Sequence, residues 1–269
     1  MMRNIIIKYL STSTKDFKKI YKLGEGANCK VYNIMSLNDN KYYICKEYND
    51  NANHHIYEEE DNLKLIKTNN NILPKYYKSI IEDDKSWLLT EYIEGIDLFE
   101  KYINNKNNNI LLNEKNIKPI LKKMINCIEE CNKNNLVHLD IKPENFVISY
   151  DDNISLIDFG CSKQFNDKNK LYELNSTRIG TYTYCSPEIL YKNLYHINSD
   201  IWSLGITIYG LLSKEKLFSN LEINNPKKIY KYINHLTPEL QDLLKQIFVK
   251  NPKERIYLEQ LKQHEWLNK

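Results

Sequence analysis

An α+β fold in two lobes is what this sequence predicts, and three observations carry that expectation. The chain has 269 residues, 42% of them hydrophobic and 27% charged. That is a globular composition, in a chain longer than a single small core usually needs. The first third alternates short β-branched and aromatic runs with Gly and Asn, the pattern of a strand-rich region. The remainder is dominated by apolar residues at helical spacing, broken by short strands, so strands and helices are segregated along the chain. The boundary falls near Ile93-Glu94-Gly95.

Taken in order, Val31-Tyr32-Asn33-Ile34 and Tyr42-Tyr43-Ile44-Cys45 read as strands joined by the turn-like Leu37-Asn38-Asp39-Asn40. Residues 54–67 switch to helical spacing, with Ile56, Leu63 and Ile66 on one face. Trp87 to Tyr92 is a further strand, Ile117 to Cys131 a long helix, and Phe146-Val147-Ile148 and Ile154 to Ile157 are short strands. The Asn clusters at Asn69–Asn71 and Asn104–Asn109 read as loops, because Asn side chains compete for helical hydrogen bonds. The wider excess of Asn, Lys, Ile and Tyr fits an AT-rich genome and carries no chemistry.

Several function classes are set aside by composition. A net charge of +3 is too small to imply a nucleic-acid or membrane partner. No run of about 18 apolar residues predicts a membrane span. Met1 to Tyr9 holds a short apolar run without a small-residue cleavage site, so no signal peptide is expected. Cys29, Cys45, Cys127, Cys131, Cys161 and Cys185 form no C-x-x-C pair, which argues against zinc. They read as reduced core thiols of an intracellular, cytoplasmic protein.

Leu23-Gly24-Glu25-Gly26-Ala27-Asn28-Cys29-Lys30-Val31 places two glycines where a hairpin backbone could approach an anion, although a plain turn explains them equally well. Lys46 follows about twenty residues later; it is either a surface lysine or a point charge for phosphate. Of Glu58, Glu59 and Glu60, helical spacing puts Glu59 on the apolar face, with Glu60 the second choice. The most specific signal is His138-Leu139-Asp140-Ile141-Lys142-Pro143-Glu144-Asn145, with Asp158-Phe159-Gly160 thirteen residues past Asn145. Asp140, Lys142 and Asn145 put a carboxylate, a cation and an amide in one loop, and Asp158 adds a second carboxylate. Phosphoryl transfer needs those parts: a group to orient the attacking hydroxyl, positive charge on the phosphoryl, and oxygen ligands for a hard cation.

On these motifs, which occur in family order across roughly residues 17 to 267, the chain resembles the eukaryotic-type protein kinases. The resemblance implies a bilobal protein-kinase-like fold: an extension over residues 1–16, a strand-rich N-lobe over 17–93, a helical C-lobe over 94–267, and ATP in the cleft. By position, Leu23, Gly24, Gly26, Val31, Ile44, Lys46, Glu59, Glu91, Ile93, Asp97 and Val147 would bind ATP. Lys46 would reach its phosphates while paired with Glu59, Thr90 would be the gatekeeper, Glu91 to Ile93 the hinge, and Asp97 the ribose acid. Asp140 would be the catalytic base, Lys142 would steady the γ-phosphate, and Asn145 and Asp158 would hold Mg2+. Gly180-Thr181 to Pro187-Glu188 resembles the substrate-facing loop, and Asp200 to Gly205 the buried helix anchoring the catalytic loop. Glu188 and Arg255 stand at a structural ion pair. Lys142 and Thr181 follow the serine/threonine pattern rather than the tyrosine one. Glu144 and Asp97 lean towards basic protein substrates, while Gly210 stands where strongly basophilic members carry glutamate. No regulatory domain is expected in cis, and control by a regulatory partner protein stays open.

There are departures from the family pattern. Leu139 replaces the arginine that clamps a phosphorylated activation loop, so Ser176 or Thr177 phosphate would lose its main partner, with Lys163 a weaker one. Activity is therefore expected to depend little on phosphorylation there. Ile44 replaces the usual alanine above the adenine and Val147 the usual leucine below it, a larger ceiling over a smaller floor. Cys29 replaces the third glycine of the loop. A catalytically dead scaffold is the competing class, but Lys46, Asp140, Asn145 and Asp158 are all present. A small-molecule kinase fits the 180–188 segment poorly.

Overall fold

The computed structural model describes residues 13–26, 28–49, 53–68, 71–82, 85–104, 112–174, 180–213 and 232–269. Ser176, Thr177 and Asn105 to Asn109 lie outside them. The chain divides into two compact units, Met1–Glu60 with Lys75–Tyr92, and Asp61–Pro74 with Ile93–Lys269.

The first unit is built on five antiparallel strands: β1 (Phe17–Glu25), β2 (Cys29–Ser36), β3 (Tyr42–Tyr48), β4 (Tyr76–Glu82) and β5 (Lys85–Glu91), in the order β1-β2-β3-β5-β4. Strand periodicity assigns its two faces different tasks. One face packs Phe17, Ile34, Tyr43, Cys45, Ile80, Trp87 and Leu89 into an apolar cluster. The opposite face carries the alternate residues, Val31, Ile44, Lys46, Tyr48, Leu88 and Thr90. The register fixes their neighbours: Val31 lies opposite Lys46, which lies opposite Leu88, while Ile44 lies opposite Thr90. Helix α1 (Asn53–Leu65) follows β3. Its inward residues Ile56, Glu59 and Leu63 are buried, and it ends one residue before Ile66, which is half-buried.

In the second unit, α2 (Glu114–Lys133) starts at a capping box. The Asn113 side chain accepts from Lys115 and Asn116 N–H, and the Asn116 side chain accepts from Asn113 N–H. Ile117, Ile120, Leu121, Met124, Ile125, Cys127, Ile128 and Cys131 form its buried stripe. A three-stranded sheet joins β6 (Ile96–Asp97), β8 (Phe146–Ile148) and β9 (Ile154–Leu156). Short pairs are made by β7 (Leu136–Val137) with β10 (Lys163–Gln164) and by β11 (Tyr172–Glu173) with β12 (Leu194–Tyr195). Asn104, expected in a loop, instead closes a π-helical turn, Glu100–Asn104, where its amide donates to Glu100 Oε2 at 2.6 Å. After α3 (Pro187–Lys192) comes α4 (Ser199–Ser213), buried from Ser199 through Leu211 on all sides. A helix without a solvent face needs its polar groups satisfied internally, and Asp200 meets that need at the site below. No disulfide joins any of the six cysteines, and Cys127 and Cys131 are fully buried. No helix among the described residues is long and apolar enough to cross a membrane.

Candidate active site

The loop over residues 138–145 is held from below by one carboxylate. Asp200 Oδ2 accepts the His138 N–H at 2.7 Å, and Oδ1 accepts the Leu139 N–H at 2.8 Å. Those bonds hold Leu139 at φ +65°, a left-handed conformation that a branched side chain rarely adopts unaided. Burial pushes the Asp200 carboxyl up to about 7, against the pull of the two N–H groups. His138 is fully buried; its Nε2 lies 3.1 Å from Ile157 O, and its Nδ1 accepts the Asp140 N–H at 3.3 Å. That network assigns the ring proton to Nε2. Burial lowers its pKa, which keeps the imidazole neutral.

Above this anchor the polar groups converge on Asp140. Its Oδ2 accepts from Lys142 Nζ at 2.7 Å and from Asn145 Nδ2 at 3.0 Å, and its Oδ1 accepts the Thr181 N–H at 2.7 Å. Lys142 Nζ also donates to Thr181 Oγ1 at 2.7 Å. Burial pulls the Lys142 pKa down, but the charge of Asp140 and its hydrogen bond more than offset this, so the ammonium is held protonated. Asn145 Nδ2 also donates to Asp140 O at 2.7 Å. With its nitrogen committed on both contacts, the amide has its oxygen as the group suited to a hard cation, as does the carboxylate of Asp158. Among the described residues no cluster of three or more His, Cys, Asp or Glu could hold a metal; the Asn145–Asp158 donor set fits a cation that keeps substrate phosphates as its other ligands, as Mg2+ does.

Gly180 stands beside this network at φ +75°, where an added Cβ would lie 2.3 Å from Leu139 O. Backbone cannot yield as a side-chain tip does. Gly180→Ala is therefore expected to lower stability by about 1–2 kcal/mol or more and to displace Thr181. Thermal unfolding together with a peptide phosphorylation rate would show both effects, and an unchanged rate would separate Thr181 from the site.

The Leu139 side chain is buried in an apolar cluster with Val137, Phe165, Leu174, Cys185, Ile189, Tyr195 and Ile197. Tyr172 and Tyr195 stack at 5.2 Å beside it. Distant segments thus meet here through apolar packing.

In the first unit, Lys46 Nζ pairs with Glu59 Oε1 at 2.5 Å, with side chains 12% and 2% exposed. Glu60, the second choice, instead accepts from Tyr76 Oη at 2.9 Å. Leu23 is exposed on β1, Gly24 lies opposite Val31, and the Gly26 N–H closes the hairpin by donating to Cys29 O at 2.9 Å. Glu91 ends β5, and its N–H donates to Lys75 O at 2.9 Å. In the second unit, Ile93 is half-buried outside any strand, and Asp97 lies opposite Val147 across β6 and β8. Asp97 Oδ1 accepts the Glu100 N–H at 2.8 Å, and burial raises its pKa.

Sequence reasoning missed the phenol of Tyr48, which donates to Glu59 Oε2. Its only signal was the two-residue spacing from Lys46 on a strand.

The family model for the protein kinase domain matches residues 17–267. Among similar curated proteins, the SNF1-related protein kinase catalytic subunit alpha KIN12 of Arabidopsis thaliana is 30% identical over 199 residues, covering 72% of this chain and 39% of the relative. The serine/threonine-protein kinase Nek1 of Mus musculus is 29% identical over 251 residues, 89% of this chain and 20% of the relative. The SNF-related serine/threonine-protein kinase of Homo sapiens is 30% identical over 225 residues, 80% of this chain and 28% of the relative. The chain therefore spans well under half the length of these relatives, and what it matches in them is a kinase domain. With the kinase-domain model covering nearly its whole length, the chain belongs to the protein kinase domain family.

Proposed function

We propose that this chain is an active serine/threonine protein kinase domain that transfers the γ-phosphoryl group of ATP to Ser or Thr hydroxyls of protein substrates. The observation that carries the reading is the Asp140–Lys142–Thr181 network. It sets a buried carboxylate acceptor and a half-buried, protonated ammonium 2.7 Å apart and ties both to a threonine. Asp140 orients the substrate hydroxyl and takes its proton as the oxygen–phosphorus bond forms and the bond to the nucleoside diphosphate breaks. Lys142 offsets the charge on the transferring oxygens. Asn145 and Asp158 would hold Mg2+, which supplies charge neutralisation when bound with ATP. Lys46, paired with Glu59, would contact the nucleotide phosphates, with Leu23, Gly24, Gly26, Val31, Ile44 and Glu91 as the other nucleotide-binding residues of the first unit and Ile93, Asp97 and Val147 as those of the second. Relatives named as serine/threonine kinases and the Lys142–Thr181 bond support the acceptor class. Exposed Glu144 and nearby Asp97 favour substrates with basic residues. The reduced, mostly buried cysteines accord with an intracellular, cytoplasmic setting.

The experiment is incubation of the purified chain with labelled ATP, Mg2+ and an arrayed peptide library, with Asp140→Asn as control. Labelling of Ser and Thr peptides by the wild type alone is expected; equal labelling by the variant would remove Asp140 from its role. The apolar seat of Leu139 supports a second expectation. The Ser176→Ala, Thr177→Ala double variant should keep its rate within about threefold, because the position that elsewhere pairs the phosphate bidentately offers no charge here. Loss of most of the rate would overturn this.

A further inference from the structure

Lys46 and Tyr48 stand two residues apart on β3, so both side chains leave the same face of the strand. A single carboxylate from α1 meets them both: Glu59 Oε1 takes the Lys46 ammonium at 2.5 Å and Glu59 Oε2 takes the Tyr48 phenol. Glu59 is 2% exposed and Tyr48 5%. The following residue repeats the arrangement from β4. Glu60 Oε1 accepts from Tyr76 Oη at 2.9 Å, and that oxygen in turn accepts the Ser79 N–H at 2.9 Å. Two consecutive carboxylates of one helix are thus each gripped by a phenol of the sheet.

A buried carboxylate with one oxygen left bare is costly, and one ammonium bond satisfies only one oxygen. A phenol is suited to the other. It adds no charge, so it does not compete with Lys46. Burial raises the Tyr48 pKa far above its ordinary value, so the hydroxyl stays a donor. We propose that Tyr48 is a positioning residue whose O–H holds Glu59, and with it α1, in the place where Lys46 is paired, so that the ion pair is assembled by the domain itself. The proposal rests on the kinase reading for its effect on catalysis, since Lys46 acts there on the nucleotide.

The test is a double-mutant cycle of wild type, Tyr48→Phe, Glu59→Gln and the double variant, read in kcat, KM for Mg-ATP and Tm. Cys45→Ala serves as control, because Cys45 packs in the cluster on the opposite face of the same strand. Tyr48→Phe is expected to lower kcat/KM for ATP roughly tenfold, mostly through KM, the scale of one hydrogen bond to a charged group. In the Glu59→Gln background the same change should cost about twofold or less. Cys45→Ala should lower Tm while leaving KM for ATP unchanged. The proposal is overturned if Tyr48→Phe stays within about twofold of wild type, or if its loss is the same in both backgrounds. A wild-type chain that transfers no phosphate would sink the kinase reading instead. The clamp is then judged on Tm alone, where additive losses from Tyr48→Phe and Glu59→Gln would overturn it and strong coupling would uphold it.

Discussion

Asp140→Asn is expected to cut peptide phosphorylation by about 10²–10⁴-fold, the usual contribution of a positioned general base. The change keeps shape and volume, so any loss reports on charge and proton acceptance. It also exchanges an acceptor for a donor within a crowded set. Asp140 Oδ2 faces Lys142 Nζ at 2.7 Å and Asn145 Nδ2 at 3.0 Å, while Oδ1 faces the Thr181 N–H at 2.7 Å. All three are donors, so an NH₂ at either oxygen position meets N–H groups. The Lys142 ammonium would also lose the charge that holds its pKa up against burial. Steady-state rates with saturating ATP, beside a thermal melt, separate the effects: kcat should collapse while Tm falls by only a few degrees. A kcat within tenfold of wild type would remove Asp140 from the reaction.

Arg255→Met should cost about 3–5 kcal/mol of stability, the price of breaking a buried ion pair from one side. Arg255 is 1% exposed, and its Nη1 and Nη2 donate to Glu188 Oε1 and Oε2 at 2.8 Å and 2.9 Å. Nη1 also reaches Asn198 O at 2.7 Å, Nε reaches Val249 O at 3.1 Å, and the guanidinium lies 5.2 Å from the Trp202 ring. Methionine fills the volume but satisfies none of these acceptors. Ser199 Oγ, at 2.9 Å, would be left as a donor to Glu188 Oε1. The pH dependence should change sign as well. Burial pushes the Glu188 carboxyl up, but the Arg255 hydrogen bonds and charge more than offset it, so its pKa lies below the ordinary glutamate value. In the wild type this group adds stability above the unfolded-state pKa of about 4.3 and loses it as pH falls through the depressed folded value. Without the cation, burial alone would raise the folded pKa, and the contribution would be lost as pH rises instead. Denaturant melts at several pH values between about 3 and 7 would show the reversal; parallel curves for the two proteins would refute it.

Much of the site was legible because its parts are close in sequence. Asp140, Lys142 and Asn145 lie within six residues, and their roles follow from donor and acceptor chemistry at fixed spacing. The choice of Glu59 over its two acidic neighbours needed only the helical period, since one face of α1 carries Ile56, Glu59 and Leu63 inward. The strands β2, β3, β5, β8 and β9 were likewise visible as β-branched or aromatic runs. Strand β4 was not, since Tyr76–Glu82 mixes lysine, serine and glutamate on a sheet edge where only part of the strand is buried.

What the sequence by itself determined is the family, the order of the motifs and the chemical type of each group in them, because these are local properties of residue identity and spacing. Only the tertiary structure decided how those groups are held. It set one Asp200 carboxylate under the Leu139 backbone from 61 residues away, and it seated the Leu139 side chain in an apolar cluster drawn from distant segments. It also turned the Tyr48 phenol onto the second oxygen of Glu59. Such contacts depend on which faces meet when distant segments are buried together, and the energy of satisfying a buried polar group exists only once water has been excluded.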